Sequence, residues 1–512
     1  MHRTEKILLL AVFLIALAVR LAHIGGPLYV PDWRESTTAY MAYRMAQETP
    51  PDILRPKVVY RGGDDVRVSE FPIYSFLVEL VYKALGTAEN LAAARGVNLL
   101  FFAGAAAYLF RTVRLLFGRR DAWYAVAAYS TLPIGLHYSC GVHYDMSLVF
   151  FSHGFFYHGL RFMERPSVRS FLPSTVMGAM AFLMKAPYAF YFGLPMLVYA
   201  LAGRERRPVR DALRVCALFV LPLVAAWGFN EWRIAVEGDA PNSLLHAQKW
   251  THGSSVRWFF GDLASRTNPA HWKLLINNAV FIVLTPAGAL AAPAAFLLPR
   301  WRGRGMPVVL AWCAGVFAYV LLVFKMVVTH EYYLNPLLAP AAALVGLFAS
   351  FLAAGKRGES ARPVGVALAA VLFALLWFGT AAKIHGVRGM MSGRYFQRDH
   401  LRIEAGRVIR QSTPDDALVL AICKGRWTAA TDPRLLYQAR RRGWSMPLDE
   451  LTPQAVSVFL EGGATHAAVM TTSDFPADDH LYPLLAGYPH TAHGLAGPRG
   501  EALGQLVLFK LR

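Results

Sequence analysis

Charged residues are scarce in this chain. Only 17% of its 512 residues are Asp, Glu, Lys or Arg, whereas about a quarter are charged in a typical soluble domain. Hydrophobic residues make up 55% of the chain, and the mean hydropathy is +0.35. This shortage of charge argues against a soluble protein and indicates one that lies in a membrane.

Cysteines and internal repeats are also few. The four cysteines, Cys140, Cys216, Cys313 and Cys423, are far apart, so they form neither a zinc-binding pattern nor a dense disulfide framework. No segment recurs at a spacing of about 20–50 residues, and no tract is of low complexity. The sequence therefore excludes a repeat array and a disulfide-rich scaffold.

The net charge of +19 would suit a nucleic-acid-binding protein, but its distribution does not. Arginine and lysine gather in short segments between apolar runs, which is the pattern of membrane topology rather than of a binding face. We therefore expect no nucleic acid among the partners, and we expect the lipid bilayer to be one.

Apolar runs dominate the first three quarters of the chain. A helix needs about 20 apolar residues to cross the roughly 30 Å hydrocarbon layer of a bilayer. Eleven runs approach that length: 7–24, 92–110, 122–139, 146–162, 171–184, 187–202, 213–232, 276–298, 307–325, 333–354 and 363–382. They predict a mainly α-helical, polytopic membrane protein with about 11 transmembrane helices.

Positive charge alternates between the loops that connect these runs. Cytoplasmic loops carry an excess of Arg and Lys, so the basic loops predict a cytoplasmic N-terminus. Because the eleven predicted spans are an odd number, we expect residues beyond 382 to lie on the outer side of the membrane. The basic loops are 111–121, 161–170, 203–214, 299–306 and 355–362.

The segment 25–91 is a long polar loop between the first two apolar runs, on the predicted outer face. Loops of this length in a compact fold are usually functional. Asp32, just before Arg34 and Glu35, is suited to act as a general base, and it is also explained as the N-cap of a helix over TTAYMAYRMA. Glu70 is suited to bind a metal ion or to organise a phosphate, and it is also explained by the dipole of the helix that follows.

Three shorter motifs fall on the same predicted face. Asp145 in HYDMSLVFF is an ionisable group at the end of a span, where such groups have a partner or a function, although it also fits a helix cap. Lys185 in MKAPY is placed to meet a phosphate or simply to extend towards water. The motif HEYYLNP, residues 330–336, combines His-Glu with two tyrosines, which are also typical of an interfacial aromatic belt.

The composition changes from about residue 394. Two helix–strand units, LRIEAGRVIRQSTPDDALVLAICKG and LTPQAVSVFLEGGATHAAVMTT, and a final strand QLVLFKL predict a small α/β domain. The predicted domains are therefore a transmembrane module over residues 1–390 and an extracytoplasmic α/β domain over residues 391–512.

In this order, the motifs resemble the GT-C glycosyltransferases, in particular the family 39-like branch of protein O-mannosyltransferases and the lipid A aminoarabinose transferase. The aminoarabinose transferases have adjacent Asp-Glu in the first motif and Lys after the loop-end Glu, whereas here Trp33 follows Asp32 and Phe71 follows Glu70. This difference favours another envelope-glycan branch. The resemblance covers about residues 5–355 and depends on PDWRE, SEFPIYSFLVELVYKALG, AARGVNLLFFAGAAAYLFRTVRLLFGRR, HYDMSLVFF, MKAPY and HEYYLNPLLAPAAALVG.

The resemblance implies an inverting glycosyltransferase that moves a sugar from a polyprenyl-phosphate donor to an envelope glycan, lipid or protein on the outer face. It implies that Asp32 is the base, that Asp32 and Glu70 are catalytic, and that these two bind a divalent metal ion if one takes part. We expect Asp32, Glu70, Asp145 and Lys185 to line one cavity. The residues expected to bind substrate are Glu35, Asp145, Lys185, His330, Glu331, Tyr332 and Tyr333.

The residues alone leave two other functions open. A transporter or flippase of lipid-linked sugars would also be polytopic, although it would be expected to show paired broken helices and symmetry between its halves. A membrane scaffold whose outer domain does the binding would leave the outer-face motifs without a role.

The alternating charge predicts the topology directly. Reporter fusions at Arg120 and Arg207 are expected to read as cytoplasmic, and a fusion at Arg512 as external, because the positive loops stay on the cytoplasmic side. A cytoplasmic signal at Arg512 would contradict the placement of all the acidic motifs on one face.

Overall fold

The computed structural model describes residues 1–512 except 31–32, 49, 51, 61–62, 67–69, 204–206, 239–258, 300–302, 355–361, 387–394, 424–432, 448–450 and 472–483. The chain divides into two compact units. The first, which we call the membrane unit, comprises Met1–Gly26, Arg95–Glu231 and Trp250–Phe396. The second, the loop–sheet unit, comprises Pro27–Ala94, Trp232–Lys249 and Gln397–Arg512. The predicted division into 1–390 and 391–512 stays a prediction.

The described residues contain seven helices long and apolar enough to cross a membrane. These are Arg3–Ile24, Leu91–Phe117, Pro208–Arg233, Pro269–Leu297, Gly305–Leu322, Glu331–Ala354 and Arg362–His385. They correspond to seven of the eleven apolar runs. The other four runs fall in the shorter or less apolar helices Arg119–Thr131, Pro133–Ser139, Asp145–Glu164, Val168–Lys185, Pro187–Phe190 and Gly193–Leu201.

Some of these helices are irregular. A π-helical stretch, Ala279–Leu284, and a 3₁₀ turn, Ala295–Leu297, interrupt the segment that also contains Pro269–Asn278 and Thr285–Ala294. The span 331–354 begins with a 3₁₀ turn, Glu331–Leu334, and continues as Asn335–Ala354. Two short helices, Leu263–Thr267 and Phe324–Thr329, lie between the long ones.

Large apolar side chains on the long helices face outwards. Leu100 is 74% exposed, Trp227 68% and Phe378 66%. Contiguous exposed apolar surface is rare on soluble monomers, and a helix in a bilayer needs it. The exposed faces therefore agree with the predicted membrane location.

Arg20, in the second half of the first span, is buried and contacts neighbouring helices. Its Nε donates to Oγ of Ser139 at 2.8 Å and its Nη1 to the carbonyl of Ser130 at 3.0 Å. Its guanidinium also lies 4.3 Å from the centroid of the Phe102 ring. A charge at this depth is expensive without partners, so Arg20 ties the first helix to its neighbours.

The loop–sheet unit contains a mixed five-stranded sheet. Its strands are β5 (Leu418–Cys423), β6 (Arg442–Pro447), β7 (His466–Thr471), β8 (His490–Ala496) and β9 (Ala502–Lys510), and they lie in the order β6-β5-β7-β9-β8. Strand β5 is parallel to β6 and β7, whereas β9 is antiparallel to β7 and β8. Among the described residues of this segment, the helices are His400–Ser412, Arg434–Ala439 and Pro453–Glu461. The predicted α/β character of this segment is confirmed.

The first long loop belongs to the same unit as this sheet. It contains β1 (Tyr29–Val30), the helix Trp33–Ala46, the hairpin β2–β3 (Lys57–Tyr60 and Gly63–Val66) and the helix Ile73–Leu85. Strand β1 pairs antiparallel with β4 (Gln397–Arg398).

Arg440 is one of the residues that join the loop to the sheet segment. Its guanidinium lies 5.3 Å from the ring centroid of Tyr43 and 3.6 Å from the carboxylate of Glu89. Arg410 also pairs with Glu89, at 3.0 Å. The loop is therefore held by charged and aromatic contacts rather than by backbone pairing alone.

A close approach of two helices yields a stability prediction. At Gly346 a Cβ atom would lie 2.4 Å from the backbone N and Cα of Ala125, and overpacking typically costs about 1–3 kcal/mol. Gly346→Ala should therefore lower the thermal unfolding midpoint in detergent. Gly228→Ala, whose Cβ would meet nothing within 4 Å, is the matched control. Equal midpoints for the two variants would contradict the close packing.

Candidate functional site

Glu70 in the loop–sheet unit is paired with Arg34. The Nη2 atom of Arg34 donates to Oε1 of Glu70 at 3.0 Å and its Nη1 donates to Oε2 at 3.3 Å. The two side chains are only 14% and 18% exposed. A bidentate ion pair of this kind fixes the orientation of both side chains. It joins the start of the helix Trp33–Ala46 to the turn before the helix Ile73–Leu85.

Glu35 is buried one residue further along the same helix. Its Oε2 accepts a hydrogen bond from the backbone N–H of Tyr29 at 3.0 Å, and only 3% of the residue is exposed. Glu35 therefore fixes the chain where it enters the helix. Its expected role in substrate binding stays a prediction.

Asp32, the residue expected to be the base, lies outside the described residues. The helix that follows it begins at Trp33, and Arg34 and Glu35 come two and three residues after Asp32 in the chain. Its role as base and its place in a common cavity with Glu70, Asp145 and Lys185 stay predictions.

Asp145 is the centre of a buried polar cluster in the membrane unit. It opens the helix Asp145–Glu164 and is fully buried. Its Oδ2 accepts hydrogen bonds from the hydroxyl of Tyr188 at 3.1 Å and from Nδ2 of Asn335 at 2.9 Å. Its Oδ1 faces Nζ of Lys185 at 3.8 Å and Nδ1 of His143 at 3.6 Å. Several helix ends thus meet at one carboxylate.

Lys185 ends the helix Val168–Lys185 inside this cluster, with 9% of the residue exposed. Aromatic rings surround its ammonium, which makes cation–π contacts with them in addition to the ion pair with Asp145. The ring centroids lie 4.2 Å away for Tyr333, 5.0 Å for Tyr188, 5.0 Å for Tyr332 and 5.1 Å for Tyr144. We call this arrangement the tyrosine cage.

The motif HEYY supplies two walls of the cage. Tyr332 and Tyr333 lie in the turn Glu331–Leu334 and are 5% and 4% exposed. The Tyr188 hydroxyl lies 2.7 Å from the carbonyl of Tyr332 and shares its one proton between that carbonyl and Asp145. The carbonyl of Tyr333 accepts from the Tyr319 hydroxyl at 2.9 Å. Both tyrosines are therefore held by their backbones as well as by their rings.

The first two residues of the motif lie beside the cage. The ring of His330 stacks on that of Tyr332 at 5.2 Å between centroids. The Oε1 atom of Glu331 accepts from the hydroxyl of Tyr138 at 3.4 Å. The structure thus brings together Asp145, Lys185 and the whole motif, which lie far apart in the sequence.

Sequence reasoning did not single out Tyr188, Asn335 or Tyr319. Tyr188 follows Lys185 closely in MKAPY, and Asn335 lies in LNP directly after the tyrosines. A polar residue next to a helix-starting proline was a usable signal for Asn335. Tyr319 lies within an apolar run, and no sequence pattern distinguishes it from an ordinary interfacial tyrosine.

The described residues do not provide a ready metal site. They contain no group of three His, Cys, Asp or Glu side chains arranged to hold an ion. At Glu70 both carboxylate oxygens accept from Arg34, so a cation would have to compete with a guanidinium. Glu70 therefore does not fit a metal ligand in this conformation. A divalent metal at Asp32 and Glu70 stays a prediction, and we derive no step through it.

A family model matches part of the chain. The model described as dolichyl-phosphate-mannose-protein mannosyltransferase matches residues 69–229. No curated protein sequence matches the chain. The matched segment includes Glu70, Asp145 and Lys185.

Solved structures match nearly the whole chain. ArnT from Cupriavidus metallidurans bound to undecaprenyl phosphate has a TM-score of 0.64 at 14% identity, over 99% of this chain and 98% of that one. The oligosaccharyltransferase AglB from Archaeoglobus fulgidus, in complex with an inhibitory peptide and a dolichol-phosphate, has a TM-score of 0.57 at 12% identity, over 98% and 74%. Arabinofuranosyltransferase AftD from Mycobacteria has a TM-score of 0.54 at 15% identity, over 98% and 41%.

These matches define the class of protein. The chain is a polytopic membrane protein with the GT-C fold. Within that class, the family-model match and the fold confirm the predicted likeness to the family 39-like branch.

The buried pair of Asp145 and Lys185 yields a stability prediction. Removing one partner of a buried ion pair typically costs about 3–5 kcal/mol, so Asp145→Asn and Lys185→Met should each lower the thermal midpoint in detergent. The double variant leaves no uncompensated charge. Its loss of unfolding free energy should therefore be smaller than the sum of the two single losses by about 0.5–3 kcal/mol.

An exposed pair provides the control for this cycle. Glu164 pairs with Arg161 at 3.0 Å with both side chains at least one-third exposed, so Glu164→Gln should change the midpoint little. Strictly additive losses at Asp145 and Lys185 would show that the two groups are not coupled.

Proposed function

We propose that this protein is an inverting glycosyltransferase that uses a polyprenyl-phosphate sugar as donor. The acceptor is an envelope glycan, lipid or protein on the outer face of a bacterial inner membrane. The observation that carries the proposal is the tyrosine cage: a buried lysine ammonium, oriented by Asp145, at the meeting point of helix ends in a GT-C fold.

Lys185 is the group that recognises the donor phosphate in this proposal. Its ammonium lies 3.8 Å from the carboxylate of Asp145, which is longer than a hydrogen bond, so the carboxylate orients the charge without a tight contact. Ammonium groups bind phosphate as compact point charges.

Asp32 is the base. It takes the proton from the acceptor hydroxyl while that oxygen attacks the anomeric carbon of the sugar. The bond between this carbon and the phosphate oxygen breaks, and the polyprenyl phosphate leaves with the electron pair. A single displacement of this kind inverts the anomeric configuration. Positioned bases of this type contribute about 10²–10⁴-fold to the rate.

In this proposal the ion pair of Arg34 and Glu70 positions the segment that contains the base. Arg34 follows Asp32 by two residues, and Glu70 holds it by two hydrogen bonds. Glu35 fixes the same segment through the backbone of Tyr29. In this proposal the two glutamates set the position of the segment that contains Asp32.

Two of the similar structures support this class of donor. One is bound to undecaprenyl phosphate and the other is in complex with a dolichol-phosphate. A polyprenyl phosphate is therefore the carrier to test first, with a panel of sugars attached to it. Release of polyprenyl phosphate that depends on an acceptor would support the enzyme, whereas movement of the lipid-linked sugar across a vesicle membrane without any transfer would support a flippase.

Asp32→Asn is expected to lower turnover by about 10²–10⁴-fold, because the amide cannot accept the proton. Affinity for the donor should stay near that of the wild type. Asp52→Asn in the same loop is the matched control, since the Asp52 side chain accepts from two backbone N–H groups as an Asn side chain also can. Turnover is measured as released polyprenyl phosphate, and an unchanged rate in Asp32→Asn would reject this base.

Lys185→Ala is expected to weaken donor binding by roughly 10–100-fold, since a hydrogen bond to a charged group contributes about 1.5–3 kcal/mol. Lys185→Arg, which keeps the charge, should recover part of the affinity. Lys325→Ala removes a half-buried lysine that has no role in the cage, and it should bind the donor normally. Equal donor affinity in the Lys185→Ala variant and the wild type would remove Lys185 from the donor site.

A further inference from the structure

A buried turn in the membrane unit joins the helices Pro133–Ser139 and Asp145–Glu164. It comprises residues 140–144, all five of which are buried. A buried turn carries backbone polar groups that water does not reach, and the last carbonyls of the preceding helix have no partner within that helix. These groups therefore need hydrogen-bond donors from elsewhere in the fold. We call residues 140–144 the cage turn, because the turn leads directly into Asp145.

Asn98 supplies two such donors. It lies on the helix Leu91–Phe117 and is fully buried. Its Nδ2 donates to the carbonyl of Tyr138 at 2.6 Å and to that of Gly141 at 2.8 Å. Because both neighbours are acceptors, the NH₂ group of the amide must face them, and not its oxygen. One amide thus bridges the end of the helix Pro133–Ser139 and the cage turn.

Two residues of the cage turn contact the tyrosine cage. The backbone N–H of Asp145 donates to Nδ1 of His143 at 3.2 Å, and the His143 ring lies 5.1 Å from that of Tyr332 between centroids. The ring centroid of Tyr144 lies 5.1 Å from the ammonium of Lys185. The cage turn therefore provides part of the surroundings of both buried charges.

The other carbonyl bound by Asn98 belongs to a residue that contacts the HEYY motif. The hydroxyl of Tyr138 donates to Oε1 of Glu331 at 3.4 Å, and the Tyr138 ring lies 6.4 Å from that of Tyr332 between centroids. Asn98 thus holds the backbone at two places from which side chains extend to the cage. Loss of its two hydrogen bonds would leave both places free to shift.

We propose that Asn98 is a positioning residue for the donor phosphate site: its amide fixes the cage turn, which sets His143 and Tyr144 against the buried ion pair of the cage. This inference rests on the proposed function, in which Lys185 binds the phosphate. In this scheme Asn98 contacts neither the phosphate nor the sugar. Its loss therefore changes donor affinity only through the cage.

The test measures the binding of undecaprenyl phosphate to the full chain in detergent, well below the unfolding temperature of each variant. Asn98→Leu keeps the branched outline of the side chain and removes both donors. We expect its affinity for undecaprenyl phosphate to fall by about 3–10-fold, which corresponds to the net contribution of one hydrogen bond. Asn98→Ser, which retains one hydroxyl donor, should lose less affinity. Where Asn98→Leu does not fold, the comparison is made with Asn98→Ser.

Ser174→Ala is the matched control, because it also removes a buried hydrogen bond between a side chain and a carbonyl of a neighbouring helix. Ser174 is fully buried, and its Oγ donates to the carbonyl of Phe155 at 3.0 Å. It lies about 16 Å along the helix from Lys185 at the usual helical rise. Ser174→Ala should lower the thermal midpoint but bind undecaprenyl phosphate like the wild type. Equal affinity in the Asn98 and Ser174 variants would overturn the proposal.

A double-variant cycle separates positioning from a general loss of stability. If Asn98 acts only through the cage, Asn98→Leu should have no further effect on affinity once Lys185 is replaced by Ala. Additive losses would contradict the proposal. Where Lys185→Ala does not fold, Tyr144→Leu provides the background, and an effect of Asn98→Leu as large as in the wild type would then count against it.

The same data distinguish this inference from the proposed function. Should Lys185→Ala bind undecaprenyl phosphate as the wild type does, the proposed donor site fails and this inference fails with it. Should Lys185→Ala bind weakly while Asn98→Leu binds normally, only the role of Asn98 is rejected.

Discussion

The ion pair between Asp145 and Lys185 is the constraint on which the membrane unit depends. Two charges buried among apolar helices are costly unless they pair and gain further hydrogen bonds. The pair obtains these from Tyr188 and Asn335, and the ammonium gains four aromatic rings. Each partner comes from a different helix end, so satisfying one carboxylate fixes several helices in relation to one another.

The sequence indicated the class of fold and the residues of the cluster, but not their contacts. Apolar runs of about 20 residues report spans directly, and an ionisable group in such a run indicates a role. Asp145 was found for that reason, and Lys185 was found because it lies on a short predicted outer loop where it could meet a phosphate. Their pairing depends on which helix ends meet, and a single sequence does not encode that in any local pattern.

The strands of the sheet also differ in how well the sequence predicts them. Strand β7 has the buried apolar run HAAVMT and the helix Pro453–Glu461 has a clear start, so both were predicted. Strand β8 exposes nearly all of its side chains, so its sequence has no buried pattern. It is a strand because it pairs with β9. Pairing with a neighbour, like the ion pair in the membrane, is a tertiary effect. The pairing of Glu70 with Arg34 was likewise invisible, because each carboxylate was weighed alone.

The contacts of Asp145 also bear on which carboxylate serves as the base. Its Oδ2 already accepts from two donors, and its Oδ1 faces the ammonium of Lys185. Removing its charge would leave Lys185 buried without a counter-charge, so a proton taken up at Asp145 would weaken the group proposed to hold the donor. A base must gain and lose a proton in every cycle without that penalty. Orienting a cation and accepting a proton are therefore tasks for two different carboxylates, which is why we assign the first to Asp145 and the second to Asp32.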